Sequence, residues 1–306
     1  MFAIARRFGD LTYGNAFVML TLTTLFWGGN TIAGRLAVGE VSPMMVVFLR
    51  WLIVAAIFVP LFWSRIQSDW PLMRPYFARM ILMAAFGFVG FNSLFYIAAT
   101  QTTAVNLGII QGSVPIIVLI GSVIAFGTKV RVLQVLGILL TLVGVTIIAA
   151  QGSLDVLLAL AVNPGDGYML LSCVLYSGYA LALRDRPKIS GLTFFAVLSG
   201  ISVLASIPGL IFEVSTGTAQ LPSFDGWLVV LYIAVFPSCL SQIFFMRGVD
   251  LIGPARAGVF VNLVPIFAAA LAVTILNEPF KWHHGVALTM VLGGIWLSER
   301  KAGRGN

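Results

Sequence analysis

Apolar segments about 20 residues long follow one another along the chain, and only short polar stretches separate them. A helix of about 20 residues crosses the roughly 30 Å hydrocarbon core of a bilayer. Only 9% of the residues are charged, whereas soluble domains carry roughly 25%. These features exclude a soluble globular domain and predict an all-α integral membrane protein. The ten predicted transmembrane helices cover residues 14–36, 43–63, 77–99, 103–126, 131–150, 167–186, 190–213, 226–249, 253–276 and 282–299.

Lysine and arginine residues predict the orientation of these helices, because the cytoplasmic loops of membrane proteins are enriched in them. If the N-terminus is cytoplasmic, 15 of the 18 basic residues lie on the cytoplasmic side. The outer side keeps only Arg35, Arg50 and Lys281. This asymmetry predicts ten crossings with both termini in the cytoplasm. The net charge of +7 does not indicate a nucleic-acid partner, since the basic residues are scattered between apolar segments.

The second half of the chain repeats the first at an offset of about 150 residues. The segment "GIIQGSVPII" at 108–117 matches "GVFVNLVPIF" at 258–267, with the glycine and the proline in the same register. The segment "WGGNTIAGR" at 27–35 matches "YSGYALALR" at 176–184. A constant register over separate segments indicates a duplicated unit rather than a shared apolar composition.

The duplication predicts two repeats of five helices each, residues 1–150 and 151–306. Because five is an odd number, the second repeat must enter the membrane upside down. Inverted repeats are typical of secondary transporters, whose substrate site lies between the halves near the bilayer midplane.

Four segments of the chain resemble the drug/metabolite transporter superfamily, specifically its EamA-type ten-helix members. They occur in the expected order within residues 14–299 and read "LFWGGNTIAGR", "FLRWLIVAA", "GIIQGSVPIIVLI" and "GVFVNLVPIFAAALAVTILNEPF". Within the superfamily the chain looks like the YddG-type amino-acid exporters. It departs from the pattern in the first repeat, which has "FGTKV" where the second has "LNEPF". The resemblance implies a transporter of the bacterial inner membrane, with a central cavity lined by helices 1, 3, 4, 6, 8 and 9.

Polar and aromatic side chains deep in the predicted helices are candidate substrate contacts, because a polar group in hydrocarbon is costly and faces the protein interior. Trp27 and Asn30 share a helix face, and Tyr176 and Tyr179 repeat that spacing in the second half. Such a lining fits a substrate with an apolar or aromatic body and a few hydrogen-bonding groups, while hydrogen bonding between helices is the alternative role. The candidate cavity residues are Trp27, Asn30, Asn92, Tyr96, Gln111, Tyr176, Tyr179, Gln242 and Asn262.

Two prolines and one arginine are further candidates. Pro115 and Pro265 each interrupt a predicted helix, and their matched positions favour matched hinges over static kinks. Arg50 lies well inside the second helix, where it has three possible roles. It can reach the interface, pair with Glu40, or attract a substrate carboxylate. The resemblance, through the pair Arg50–Trp51, favours a structural role.

Several kinds of chemistry have no support in the sequence. No Asp or Glu lies deep in a predicted helix, and no glycine-rich phosphate-binding loop is present, so any driving force must come from a gradient or a partner. Cys173 and Cys239 fall in apolar runs and are predicted to be buried core residues. His283 and His284 are adjacent, which is poor geometry for a shared metal, and we expect them to be solvated. Neither a metal nor a cofactor is expected.

The sequence thus predicts a secondary transporter, not an enzyme. We expect an exporter of small metabolites, best matched by amino acids that include aromatic ones. The alternatives are a channel or uniporter for other amphipathic metabolites or drugs, and a membrane-embedded enzyme. The expected partners are a small-molecule substrate and the lipid bilayer. The chain is a monomer or a homodimer, since the glycines of helices 5 and 10, such as Gly137, Gly144 and Gly294, suit close packing of either kind.

Overall fold

The computed structural model describes residues 15–153, 155, 163–252 and 260–299, and every regular element within these ranges is helical. Ten helical runs are numbered in chain order. They are α1 (Ala16–Leu36), α2 (Pro43–Leu61), α3 (Trp63–Ala99), α4 (Ala104–Phe126), α5 (Val132–Ala149), α6 (Pro164–Ala182), α7 (Gly191–Ser215), α8 (Phe224–Ile252), α9 (Val261–Ile275) and α10 (Trp282–Glu299).

The helix ends follow local sequence signals. Asn15 begins α1 and accepts hydrogen bonds from the backbone N–H groups of Phe17 and Val18. Thr103 and Asn163 cap α4 and α6 in the same way. Because these caps and the flanking loops are visible in the sequence, most predicted boundaries lie within a few residues of the observed ones.

The connection predicted at residues 64–76 is wrong, because α3 already begins at Trp63. Residues Trp63–Met73 form a mostly exposed helix in which Trp63, Ile66, Trp70 and Met73 recur at helical spacing among polar residues. A 3₁₀ turn at Arg74–Tyr76 joins this helix to the apolar part of α3. Apolar length alone misses such a helix, since its sequence is amphipathic rather than apolar.

Seven helices of the described ranges are long and apolar enough to cross a membrane, namely α1 to α5, α7 and α8. Helix α9 is apolar but shorter, and α6 and α10 carry more polar residues. Ten crossings and cytoplasmic termini therefore stay predictions. Part of the predicted ninth helix, residues 253–259, lies outside the described residues. So do six basic residues that support the orientation, namely Arg6, Arg7, Arg256, Arg300, Lys301 and Arg304.

The two halves share the same departures from regular helix. A π-helical segment occupies Ala84–Gly90 in α3, and another occupies Ala234–Leu240 in α8, 150 residues later. Helix α4 is interrupted at Gly112 and Ser113, and α9 begins with a 3₁₀ turn at Val261–Leu263. These irregularities recur at the offset of the sequence repeat and so support a structural repeat.

The main helix contacts match when the halves are exchanged. Helix α1 packs against α8 and α9, and its counterpart α6 packs against α3 and α4. Helices α2 and α7, α4 and α9, and α5 and α10 pack as matched pairs. Gly144 and Gly294 bring α5 and α10 together, because an added Cβ at Gly144 would lie 3.0 Å from the Ala287 carbonyl oxygen. These glycines thus serve packing within the chain.

Polar contacts join the two halves at one end of the bundle, which we call the braced end (residues 35–44, 99–106, 163–166, 213–226 and 276–284). The Ser42 hydroxyl donates to Glu213 Oε2 at 2.5 Å, and the Thr102 hydroxyl donates to Asp166 Oδ1 at 2.6 Å. Both carboxylates are buried. Each bond crosses from the first half to the second, so the halves are held together at this end.

Glu278 completes the braced end by capping a helix of the other half. Its carboxylate accepts hydrogen bonds from the backbone N–H groups of Ala104 and Val105 at 2.9 and 3.0 Å. A carboxylate at a helix N-terminus satisfies free N–H groups and interacts favourably with the helix dipole. The "NEPF" segment of the second repeat therefore holds the start of α4 in the first repeat.

We predict that Glu278→Ala lowers the free energy of unfolding by about 1–3 kcal/mol, because it leaves two partly buried N–H groups without their acceptor. Thermal unfolding of the detergent-purified protein measures the effect. Asp250→Ala is the matched control, since Asp250 is exposed and forms no hydrogen bond or ion pair with the described residues. Equal stability of the two variants would contradict the capping role.

Candidate substrate cavity

A cavity of about 130 Å³ lies where the two halves meet. Its lining comes from α1, α2, α3 and α4 of the first half and from α6, α7, α8 and α9 of the second. Among the described residues, α5 and α10 contribute nothing to it. The resemblance implied a lining of six helices, and the structure adds α2 and α7, which supply Arg50, Trp51 and Phe195.

The structure brings all but one of the predicted site residues to this cavity. Tyr96 is the exception, since it is buried behind the wall and reaches the cavity only through its hydrogen-bond partners. The predicted residues that line the cavity are Trp27, Asn30, Arg50, Asn92, Gln111, Pro115, Tyr176, Tyr179, Gln242, Asn262 and Pro265.

Small residues of α1 explain how Trp27 and Asn30 reach the cavity. An added Cβ at Gly28 would lie 2.9 Å from the backbone nitrogen of Ala268, so α1 approaches the backbone of α9 closely. The Trp27 indole N–H donates to the carbonyl oxygen of Pro237 at 3.1 Å. That carbonyl lies in the π-helical segment of α8, where the helical hydrogen-bond pattern is shifted. Trp27 is thereby held against the second half.

Aromatic rings form one continuous wall of the cavity. The Trp51 ring stacks on Phe88 with centroids 4.6 Å apart, and Phe88 contacts Tyr179 at 5.3 Å. Tyr179 contacts Tyr176 at 5.6 Å, and Tyr176 contacts Phe91 at 5.1 Å. The spacing of Tyr176 and Tyr179 indicated part of this wall. The phenylalanines were not predicted, because nothing in the sequence distinguishes them among 23 Phe residues.

The polar wall is organised around Arg50. Its Nε donates to the Ser238 hydroxyl at 2.8 Å, and its Nη1 donates to Asn92 Oδ1 at 2.5 Å and to the Tyr96 hydroxyl at 3.1 Å. The Tyr96 hydroxyl in turn donates to Asn30 Oδ1 at 3.1 Å. The guanidinium carbon lies 5.1 Å from the centre of the Trp51 ring. Four helices from both halves are thus joined in one network.

Arg50 does not pair with Glu40. The Glu40 carboxylate accepts a hydrogen bond from the Ser223 hydroxyl at the braced end instead. Arg50 is only 7% exposed, so it does not extend to the membrane interface either. Two of the three roles, pairing with Glu40 and reaching the interface, are therefore excluded. Attraction of a substrate carboxylate stays a prediction, and Arg50 also has a structural role, because its network joins four helices.

The π-helical segments shape the polar wall. In a π-helix the backbone bonds span five residues instead of four, which displaces individual carbonyl groups. The Ser238 hydroxyl donates to the carbonyl oxygen of Ile233 at 2.7 Å, five residues earlier, and Ser241 does the same with Phe236 at 2.9 Å. The sequence does not predict these serines, because a serine hydroxyl within a helix can bond to a carbonyl of its own helix and need not face a cavity.

Pro115 and Pro265 lie at the first turns of Val114–Phe126 and Val264–Ile275. Proline is favoured there, because its missing N–H would have no partner within the helix. Each proline therefore follows an interruption of its helix instead of sitting within an unbroken one. An added Cβ at Gly112 would lie 2.8 Å from Pro265 Cγ, so the two interruptions touch each other. Whether they act as hinges stays a prediction.

The histidines differ from the prediction. His283 and His284 are buried rather than solvated, because the loop at Gly152 packs against His283 and the His284 Nδ1 accepts a hydrogen bond from the Lys281 backbone N–H. Within the described residues, no group of three His, Cys, Asp or Glu side chains is placed to hold a metal. Cys173 and Cys239 are free and buried, as predicted.

The sequence profile of the EamA-like transporter family matches residues 14–150 and, a second time, residues 163–300. The chain belongs to the EamA-like transporter family. It is therefore a multi-pass membrane transporter built from two repeats, and this family points away from an enzyme. The family confirms the resemblance noted in the sequence, while the likeness to YddG-type exporters stays a prediction.

Proteins similar to this EamA-family chain come from several organisms. The uncharacterized transporter YyaM of Bacillus subtilis is 24% identical over 92% of each chain. The uncharacterized transporter YetK of the same organism is 27% identical over 94% of this chain and 87% of its own. The uncharacterized inner membrane transporter YedA of Escherichia coli is 23% identical over 89% and 87%. One crystal structure superposes with a TM-score of 0.64 at 17% identity, over 92% of this chain and 96% of that chain, which shows the fold.

We predict that Gly87→Ala disturbs the aromatic wall, because a Cβ at Gly87 would overlap the Cβ and ring of Tyr179. Overpacking of this kind costs about 1–3 kcal/mol of stability. Thermal unfolding and the near-ultraviolet circular dichroism of the purified protein measure both consequences. Gly178→Ala is the matched control, since a Cβ there meets no atom within 4 Å. An unchanged spectrum and stability for Gly87→Ala would contradict the close contact.

Proposed function

We propose that this EamA-family protein is a secondary transporter that exports small metabolites by alternating access, and that amino acids, including aromatic ones, are its best-matched substrates. One observation carries the proposal. Both halves contribute side chains to one cavity, which is bordered by the aromatic wall and by the polar wall around Arg50. An apolar body and a polar end of one substrate match these two walls.

The proposed topology is ten crossings in two inverted repeats, residues 1–150 and 151–306, with both termini in the cytoplasm. The matched irregularities and helix contacts of the halves support the inversion, and the basic residues support the orientation. By similarity to YedA, we place the protein in a bacterial inner membrane. In this orientation the braced end faces outward.

The conformation of the bundle supports alternating access. At the braced end, buried hydrogen bonds to Glu213, Asp166 and Glu278 join the halves. At the opposite end, the exposed Arg79 side chain forms an ion pair with Asp185 at 3.6 Å and donates a hydrogen bond to the Asp185 backbone carbonyl at 3.1 Å. An exposed pair of this kind is worth about 1 kcal/mol or less. These contacts support a state that is closed on the proposed outer side, in which opening outward requires the bonds of the braced end to break.

The interruptions before Pro115 and Pro265 are the proposed hinges. Gln111 and Val114 line the cavity on the two sides of the α4 interruption, and the 3₁₀ turn of α9 and Pro265 line it directly, so a change in angle at either place changes the shape of the cavity. The cavity of about 130 Å³ is smaller than the roughly 300–1,000 Å³ of typical ligand pockets. Movement at these hinges is a direct way to enlarge it.

The proposal is tested by reconstitution into liposomes that contain an unlabelled amino acid, followed by uptake of the same labelled amino acid from outside. A carrier gives saturable uptake that internal substrate accelerates. Uptake that rises linearly with concentration, and that internal substrate does not accelerate, would indicate the alternative, a channel. Chemical conversion of the substrate without movement would indicate an enzyme.

We predict that Trp27→Ala and Tyr179→Ala each weaken transport about tenfold, because each removes roughly 1–2 kcal/mol of contact with an apolar substrate body. Initial uptake rates against substrate concentration measure the effect. Trp63→Ala is the control, since Trp63 is 54% exposed and remote from the cavity. Rates like those of the parent for both cavity variants would refute the aromatic wall as a substrate contact.

A further inference from the structure

The buried guanidinium of Arg50 has no acidic partner among the described residues. All three of its hydrogen bonds go to neutral groups, those of Ser238, Asn92 and Tyr96. The ion pairs of the described residues involve Arg35 and Arg79, which lie elsewhere. Removing a charge from water costs several kcal/mol, and neutral acceptors return only part of this cost. An anion that bound beside Arg50 would therefore be stabilised by an unneutralised positive charge.

The guanidinium also keeps hydrogen-bonding capacity, and Arg50 lines the cavity. Nε and Nη1 donate to neighbouring side chains, whereas Nη2 donates to none of the described residues. Two polar atoms of other residues that line the cavity, Trp51 Nε1 and Gln111 Oε1, are buried and have no hydrogen-bond partner among the described residues. Arg50 and Trp51 are adjacent, and both present N–H donors.

The charges of the cavity are one-sided. Its lining contains Arg50 and no Asp or Glu among the described residues. A substrate ammonium group would meet only neutral acceptors, such as Gln111 Oε1, and the faces of the aromatic rings. A carboxylate would meet a guanidinium, which is the side chain best suited to bind it with two hydrogen bonds.

We propose that Arg50 binds the carboxylate of the substrate, and that the cavity selects organic anions that join one carboxylate to an apolar or aromatic body. An α-amino group is not required for binding. This inference rests on the proposed transport function and narrows its substrate class from amphipathic metabolites to carboxylates.

The position of Arg50 links binding to the closure of the bundle. Its bond to Ser238 joins α2 of the first half to α8 of the second. A carboxylate accepts stronger hydrogen bonds from a guanidinium than a hydroxyl does, because both partners are charged. A bound substrate thus competes with Ser238 and weakens one bond between the halves.

Four compounds with the same phenyl body test the proposal on the unmodified protein: 3-phenylpropionate, its amide, phenylalanine and phenethylamine. Binding to the full chain in lipid nanodiscs is measured by tryptophan fluorescence, since Trp27 and Trp51 line the cavity. The carboxylate is expected to bind at least tenfold more tightly than its amide, phenylalanine to bind measurably, and phenethylamine to bind most weakly. Equal binding of carboxylate and amide, tightest binding of the amine, or no binding of any compound would overturn the proposal.

Variants then assign the selectivity to Arg50. Arg50→Gln is expected to abolish the preference for carboxylate over amide while amide binding remains, and Arg50→Lys is expected to keep part of the preference. Arg65→Gln, at an exposed position, is the control. A preference that survives in Arg50→Gln would overturn the assignment. If Arg50→Gln does not fold, Arg50→Lys and the compound series on the parent protein decide the question.

Liposome uptake separates this inference from the proposed function. Saturable uptake of the amide or the amine, with none of the carboxylates, would overturn the anion selectivity and leave a transporter. Binding of the carboxylate to the cavity without any saturable uptake would retain the role of Arg50 and overturn transport.

Discussion

The bilayer core offers no water to hydrogen-bond a free backbone group, and the rest of this structure depends on that constraint. A chain that crosses this core must form helices or a closed barrel, and irregular backbone is tolerated only where protein or a water-filled cavity surrounds it. The π-helical segments at Ala84–Gly90 and Ala234–Leu240 and the interruptions of α4 and α9 all border the central cavity. The irregularities that shape the site therefore occur where the membrane permits them.

The fold is repeated, but the chemistry of the cavity is not. The residues 148 to 150 positions after Arg50 are the uncharged Leu198, Ser199 and Gly200, and Gln111 has Val261 as its counterpart. A repeated arrangement of helices thus surrounds a site whose described lining has one positive charge, that of Arg50, and one aromatic wall. Symmetry suits the exchange of two equivalent conformations, whereas asymmetry suits a substrate with two different ends.

The sequence predicted the helices and most of the cavity residues because both follow from local or periodic signals. Apolar length marks a crossing, and an amide or a tyrosine within a crossing must face the interior. The sequence did not predict the elements and residues that carry neither of these signals. The start of α3 at Trp63 is amphipathic rather than apolar. Nothing in the sequence distinguishes Phe88 and Phe195 from the other phenylalanines. Ser238 accepts a hydrogen bond from Arg50 within a π-helical segment that the sequence does not reveal.

By itself the sequence determined the membrane class, the repeat and the family, because hydrophobic length and a constant register are properties of the chain alone. Only the tertiary structure decided the partners of Arg50, the burial of His283 and His284, and the capping of α4 by Glu278. The physical reason is distance along the chain. Arg50 and Ser238, or Glu278 and Ala104, are far apart in sequence, and packing of the two halves alone brings their polar groups within hydrogen-bonding distance.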